Sequence, residues 1–233
     1  MKAFFYIKEI LSHFRDKVNY LFRKDDVAFL KEKIAPPNAE HCSILSMNCF
    51  GGHIYQDFHI PYESPTAGLF FFAEDFCSLL ENIDYLKRDI VILKESKWEE
   101  ANKKMPFRAH PYPIGCFEGT DVEIHFLHYY TAEEAIDKWN RRIERFNFRQ
   151  FLAIGFQQNG CTESTIERFN KIDIPNKVFF SNLDVNSKYV ISIPEFKDKE
   201  CSPDPYKYVN TYYRYLVKHL KTNPIKVNNE NTV

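Results

Sequence analysis

Apolar residues recur along this chain at two different periods. Phe4, Ile7, Leu11, Phe14, Val18 and Leu21 fall at alternating steps of three and four, the spacing of one helical face. That spacing predicts a long N-terminal amphipathic helix over residues 3 to about 33. Pro36-Pro37-Asn38 then ends it, because proline cannot donate to a continuing helix. A helical arm over residues 1–35 is expected, followed by a single domain over 40–222 and a disordered polar tail over 223–233.

Beyond the prolines, short apolar runs alternate with helical patterns. Residues 43–47, 66–72, 90–93, 122–128, 151–156, 177–180 and 189–193 read as strands or β-forming runs. Residues 73–88 read as a helix, with Phe76, Leu79, Leu80, Ile83 and Leu86 on one face. Thr131 and Glu134 have the spacing of a capping box, opening a helix to about residue 146. Further helices are expected over 162–172 and 204–220. This alternation predicts an α/β fold: three layers, α/β/α, around a mostly parallel sheet.

Composition narrows the class of function. Lys and Arg number 31 against 32 Asp and Glu, a balance that argues against a nucleic-acid binder. The arm departs from that balance: to residue 24 it holds six basic and two acidic residues, about +4. A basic amphipathic helix with aromatic residues suits an anionic membrane surface or a second copy of the chain. The six cysteines are scattered without a C-x-x-C pair, so neither a structural zinc site nor a redox dithiol is indicated. With no secretory h-region and no long apolar run, a cytoplasmic protein is expected, with a peripheral position at the inner membrane face as an extension of that reading.

Three segments could carry chemistry. In Ser46-Met47-Asn48-Cys49-Phe50-Gly51-Gly52, a cysteine lies between a strand and an expected helix start. The helix dipole there favours a thiolate, and the Asn48, Gly51 and Gly52 backbone could hold an oxyanion. A buried, inert cysteine at a tight turn is the alternative. In Glu123-Ile124-His125-Phe126-Leu127-His128, His128 falls at the C-terminal end of a strand, as Cys49 does. In a parallel sheet both ends point the same way, so His128 could serve Cys49 as general base, with His125 close by. A histidine that merely fixes the following turn is the alternative. In Lys138-Trp139-Asn140-Arg141-Arg142-Ile143-Glu144-Arg145, the three arginines and Trp139 could grip a phosphate or carboxylate. A surface ladder of Glu134–Lys138 and Asp137–Arg141 pairs explains the same charges. The thirteen aspartates form no D-x-D pair, and no P-loop, G-x-G-x-x-G or G-x-S-x-G occurs, so no metal or cofactor is called for.

Several segments together resemble a bacterial family of unknown function usually labelled exopolysaccharide or capsular polysaccharide biosynthesis protein. They are Ser46-Met-Asn-Cys-Phe-Gly-Gly-His-Ile-Tyr55, Pro61-Tyr-Glu-Ser-Pro-Thr66 and Leu69-Phe-Phe-Phe72, then Pro113-Ile-Gly115, His125-Phe-Leu-His-Tyr129 and Lys138-Trp-Asn-Arg-Arg142, then Gly160-Cys-Thr162, Asn176-Lys-Val-Phe179 and Ile193-Pro-Glu195. The resemblance runs from about residue 43 to 220. A weaker similarity is to papain-like cysteine peptidase and acyltransferase families, and it implies Cys49 as nucleophile and His128 as base, with no third, orienting residue assignable here. The resemblances imply a transferase or hydrolase using a Cys–His pair on an anionic glycan precursor. The alternatives are a metal-independent glycosyltransferase-like enzyme taking a sugar nucleotide, and a non-catalytic partner in a polysaccharide-assembly complex.

Overall fold

The computed structural model describes residues 2–108 and 110–226, with side chains from Val18 onward. Its centre is a parallel sheet in the order β1 (Ser43–Ser46), β5 (Phe151–Phe156), β6 (Lys177–Ser181), β7 (Val190–Ser192). The register follows from burial on both faces. Ser43 pairs with Phe151 and Ala153 with Lys177, which puts Ile44, Leu152, Ile154, Phe156, Val178 and Phe180 on one face. Leu45, Met47, Phe151, Ala153 and Phe179 take the other.

Each face has its own helices. Helices α1 (Lys2–Ile34), α2 (Phe50–Phe58) and α7 (Val209–Thr222) cover the first. Helices α3 (Ala73–Glu81), α5 (Ala132–Ile143) and α6 (Glu163–Lys171) pack into the core of the second. The three-layer α/β reading therefore describes the molecule. Thr162 opens α6 with a full capping box, its hydroxyl accepting from the Thr165 N–H while the Thr165 hydroxyl accepts from the Thr162 N–H. At Thr131 only half of the expected box forms. Its hydroxyl accepts from the Glu134 N–H, whereas the Glu134 carboxylate accepts from the Tyr130 N–H.

A second sheet, antiparallel, was not anticipated. It runs in the order β2 (Ile90–Leu93), β3 (Ile114–Phe117), β4 (Glu123–His125), with the short helix α4 (Glu99–Lys104) in the β2–β3 connection. The strand expected over 122–128 is therefore three residues long and lies outside the parallel sheet. The run 66–72 is not a strand of its own. It joins the two sheets: the Phe71 N–H donates to the Met47 carbonyl, while Phe70 forms an antiparallel bridge with His125.

The N-terminal helix does not stand apart over its whole length. Val27, Leu30, Ile34 and Ala35 are buried in the core with α2 and α7. Arg23, also buried, is held by Asp57 of α2 through Nε at 2.8 Å and Nη2 at 3.0 Å. The boundary expected near residue 35 thus cuts through packed structure. Among the described side chains, Leu21, expected on the buried stripe, is 64% exposed, while Tyr20 packs against the core and Arg23 is buried. The side chains of Phe4, Ile7, Leu11 and Phe14 lie outside the described residues. At the other end the domain extends past residue 222: the Lys226 N–H donates to Asn176 Oδ1 at 2.7 Å and the Lys226 carbonyl accepts from Asn176 Nδ2. Residues 227–233 of the expected tail lie outside the described ones.

Candidate functional site

Strands β1 and β5 are adjacent and parallel, but the chain leaves them in opposite directions. After β1 it enters α2 on one face, and after β5 it enters α6 on the other. Such a switch opens a crevice at the carboxyl ends of the two strands, the usual ligand position in open α/β sheets. Asn48 spans it. Its Nδ2 donates to Gln158 Oε1 at 2.9 Å, and its Oδ1 accepts from the Phe50 N–H at 3.0 Å, which caps the first turn of α2.

Cys49 is the N-cap residue of α2 and is 7% exposed. Its thiol donates to the Leu69 carbonyl at 3.6 Å. Burial, reinforced by the Asp204 carboxylate, pushes the thiol up to about 12, and a backbone hydrogen bond offsets only part of this. Burial thus opposes the thiolate that the helix start was expected to favour, and the group is a thiol at neutral pH. Gly51 lies where α2 packs on β1. A Cβ there would lie 2.9 Å from Ser46 Cβ and 3.1 Å from Ile44 Cγ2, so glycine allows α2 to approach β1. Gly52 does face the open side, against Ala67 and Gly68.

Although β4 belongs to the other sheet, His128 still reaches this end of the molecule. The 66–72 linker brings it there, since the His128 N–H donates to the Gly68 carbonyl while the Leu69 carbonyl receives the Cys49 thiol. Cys49 and His128 line one cleft of about 330 Å³, together with Tyr62, Lys138, Arg142 and Tyr206. The imidazole makes no hydrogen bond among the described residues. Its ring is exposed at the rim, yet partial desolvation and the nearby Arg108 charge both lower its pKa, so it is neutral at physiological pH.

The arginines expected to act together point to three different places. Arg142 faces the cleft. Its Nη1 donates to the Ala67 carbonyl at 2.8 Å and to the Tyr129 hydroxyl at 2.5 Å, and its guanidinium lies 4.6 Å from the Tyr62 ring centroid. It has no carboxylate partner among the described residues, and Nη2 and Nε are left for a ligand. Arg141 is exposed and paired with Asp137, as the surface-ladder reading has it. Arg145 donates through Nε to the Tyr62 carbonyl at 2.9 Å and so braces one wall from outside. Lys138 is paired with Glu134 at 2.6 Å and also lines the cleft.

The chain matches, over residues 18–223, the family described as a domain of unknown function, DUF1919. It belongs to that family. It is also 32% identical over 141 residues to an uncharacterized protein of Haemophilus influenzae, an alignment covering 60% of this chain and 61% of the relative. The chain thus spans less than two thirds of that relative's length.

Two expected site residues of this DUF1919 chain are structural. His125 is fully buried, stacked on Phe70 at 4.6 Å and set 3.4 Å from Glu123 Oε2. Trp139 is 2% exposed and packs on Phe117 and Phe126. Both lie on the core-facing side of their elements, where other side chains of the chain surround them. The cleft side chains not expected as site residues from the sequence include Gln56, Tyr62, Tyr129, Lys138 and Tyr206. Tyr62 and Tyr129 lie within the segments quoted for the resemblance, whereas Tyr206 comes from a loop with no local signal. Among the described residues, no group of three or more His, Cys, Asp or Glu side chains is placed to hold a metal ion, and no helix is long and apolar enough to cross a membrane.

Proposed function

We propose that this chain is a transferase for a phosphate-bearing cell-surface glycan precursor, acting in the manner of a metal-independent glycosyltransferase-like enzyme in exopolysaccharide or capsule assembly. The observation that carries this reading is Arg142: a guanidinium fixed on the cleft wall by neutral acceptors, with two donor nitrogens unused. Such a group takes an anionic oxygen without first giving up a carboxylate. Lys138 adds a second cation to the same cleft. A volume of about 330 Å³ accommodates a phosphate and one attached ring. The glycan class comes from the sequence resemblance.

In this reading Arg142 and Lys138 neutralise the charge that grows on the leaving phosphate, and neutral His128 serves as base. Cys49 supports the wall as a thiol and forms no covalent intermediate. The burial of the thiol and its hydrogen bond to the Leu69 carbonyl favour this over the Cys–His nucleophile. Isothermal titration with pyrophosphate and with UDP tests it. Arg142→Gln should weaken both by about tenfold or more, the loss of one or two charge-assisted hydrogen bonds. Arg141→Gln, outside the cleft, should leave both unchanged. Equal affinities for wild type and Arg142→Gln would sink the proposal.

A further inference from the structure

His128 is not only a wall of the cationic cleft. A second cavity, about 130 Å³, is lined by His110, Leu127, His128, Tyr129 and Tyr130. The two cavities share His128 and Tyr129. Their chemistry differs. The larger holds Arg142 and Lys138, whereas the lining of the smaller includes no carboxylate, lysine or arginine. Its rings are set at an angle: His110 and Tyr130 meet edge to face, 5.1 Å apart at 68°. The backbone beneath is fixed, because the Tyr130 N–H donates to Glu134 Oε2 and the His128 N–H to the Gly68 carbonyl.

From this arrangement we infer that the smaller cavity is an acceptor subsite for a neutral, hydroxyl-bearing saccharide end, placed so that His128 stands between acceptor and phosphate-bearing donor. The inference rests on the reading of the larger cleft as a donor site. Tyrosine faces pack on the C–H face of a sugar ring, and a lining without carboxylate, lysine or arginine suits a neutral one. The small volume admits a single terminal ring, with the remainder of the acceptor in solvent. The imidazole, having no hydrogen-bond partner among the described residues and a lowered pKa, is free to accept a proton. The step balances without a redox partner. The acceptor O–H gives its proton to a His128 ring nitrogen, and the oxygen forms a bond to the donor sugar carbon. The bond from that carbon to the phosphate oxygen breaks, and its electron pair leaves on the phosphate beside Arg142. His128 then releases its proton to water.

The test uses the full chain, with methyl α-glucopyranoside as the neutral probe and pyrophosphate as the anionic one, followed by NMR of the Leu127 methyl groups. The glycoside should shift the Leu127 signals, and its affinity should hold when pyrophosphate saturates the cleft. Tyr130→Ala should weaken the glycoside by about fivefold or more and leave pyrophosphate unchanged. Tyr130 is 69% exposed, so its truncation spares the fold. Arg142→Gln should do the reverse. No Leu127 shift up to the glycoside's solubility, competition between the two probes, or a Tyr130→Ala variant that binds the glycoside like wild type would each overturn the inference. Loss of pyrophosphate binding alone, with the Leu127 shift intact, would instead remove the donor reading and the transfer step while leaving the saccharide pocket assigned.

Discussion

Removing residues 1–35 is the sharpest perturbation the fold offers, because it separates a detachable arm from a helix built into the domain. The deletion takes Val27, Leu30 and Ile34 out of the core, where they are 3%, 0% and 1% exposed. Burying one such aliphatic side chain is worth about 1.5–3 kcal/mol, so the three together contribute about 5–9 kcal/mol as an upper estimate. The deletion also removes Arg23 and leaves Asp57, 8% exposed, without its cation. Breaking a buried pair from one side costs about 3–5 kcal/mol. Against a typical domain stability of about 5–15 kcal/mol, the shortened chain should not fold. Urea unfolding followed by far-UV circular dichroism reads this directly. Leu30→Ala is the graded control and should lower stability by about 2–5 kcal/mol with an unchanged denaturant slope. A chain beginning at Pro36 that unfolded cooperatively at the wild-type midpoint would refute the packing argument and restore the separable arm.

Other outcomes follow from single sites. Gly51→Ala should cost about 1–3 kcal/mol, since its methyl would crowd Ser46 and Ile44; a neutral effect in thermal unfolding would show that α2 can lift from β1. Limiting iodoacetamide at neutral pH should alkylate the exposed Cys201 well before Cys49, whose thiol is pushed up to about 12; peptide mapping that finds Cys49 modified first would bring back the nucleophile. Burial would raise the Glu123 carboxyl, but hydrogen bonds from His125, the Lys97 N–H and the Ser96 hydroxyl outweigh it and hold it below the usual glutamate range. Its contribution is therefore present above the unfolded value of about 4.3 and is lost as pH falls through the lower folded value. Glu123→Gln should be less stable than wild type at neutral pH and should lose less on acidification; parallel pH–stability curves for the two proteins would contradict this.

Periodicity carried the parallel sheet because β1, β5 and β6 are buried on both faces and their apolar runs have clear ends. It failed where burial comes from distant partners. The register of α1 is one such case. Phe4 through Leu21 make a regular stripe, but the face that meets α2 and α7 is set by the Arg23–Asp57 pair and by Val27, Leu30 and Ile34, further along the helix. Trp139 and Gly51 are similar cases. Each sits in a motif that local chemistry marks as a ligand site, and each is consumed by packing against a neighbour that the sequence alone does not place.

Cys49 and His128 line the same cleft, but not by the route expected from sequence. On sequence grounds both residues fall at the C-terminal ends of strands in one parallel sheet. In the structure β4 is antiparallel and belongs to the other sheet, so that route does not exist. What brings them to one cleft is the run 66–72, which gives the Phe71 N–H to the end of β1 and pairs Phe70 with His125. Its carbonyls at Gly68 and Leu69 then hold His128 and Cys49 from the same stretch of backbone. The cysteine thiol donates a hydrogen bond to the Leu69 carbonyl of that stretch, while His128 is anchored through its backbone and its ring makes no hydrogen bond among the described residues. For that reason the chemistry proposed for the cleft runs through the imidazole and the Arg142 guanidinium rather than through sulfur.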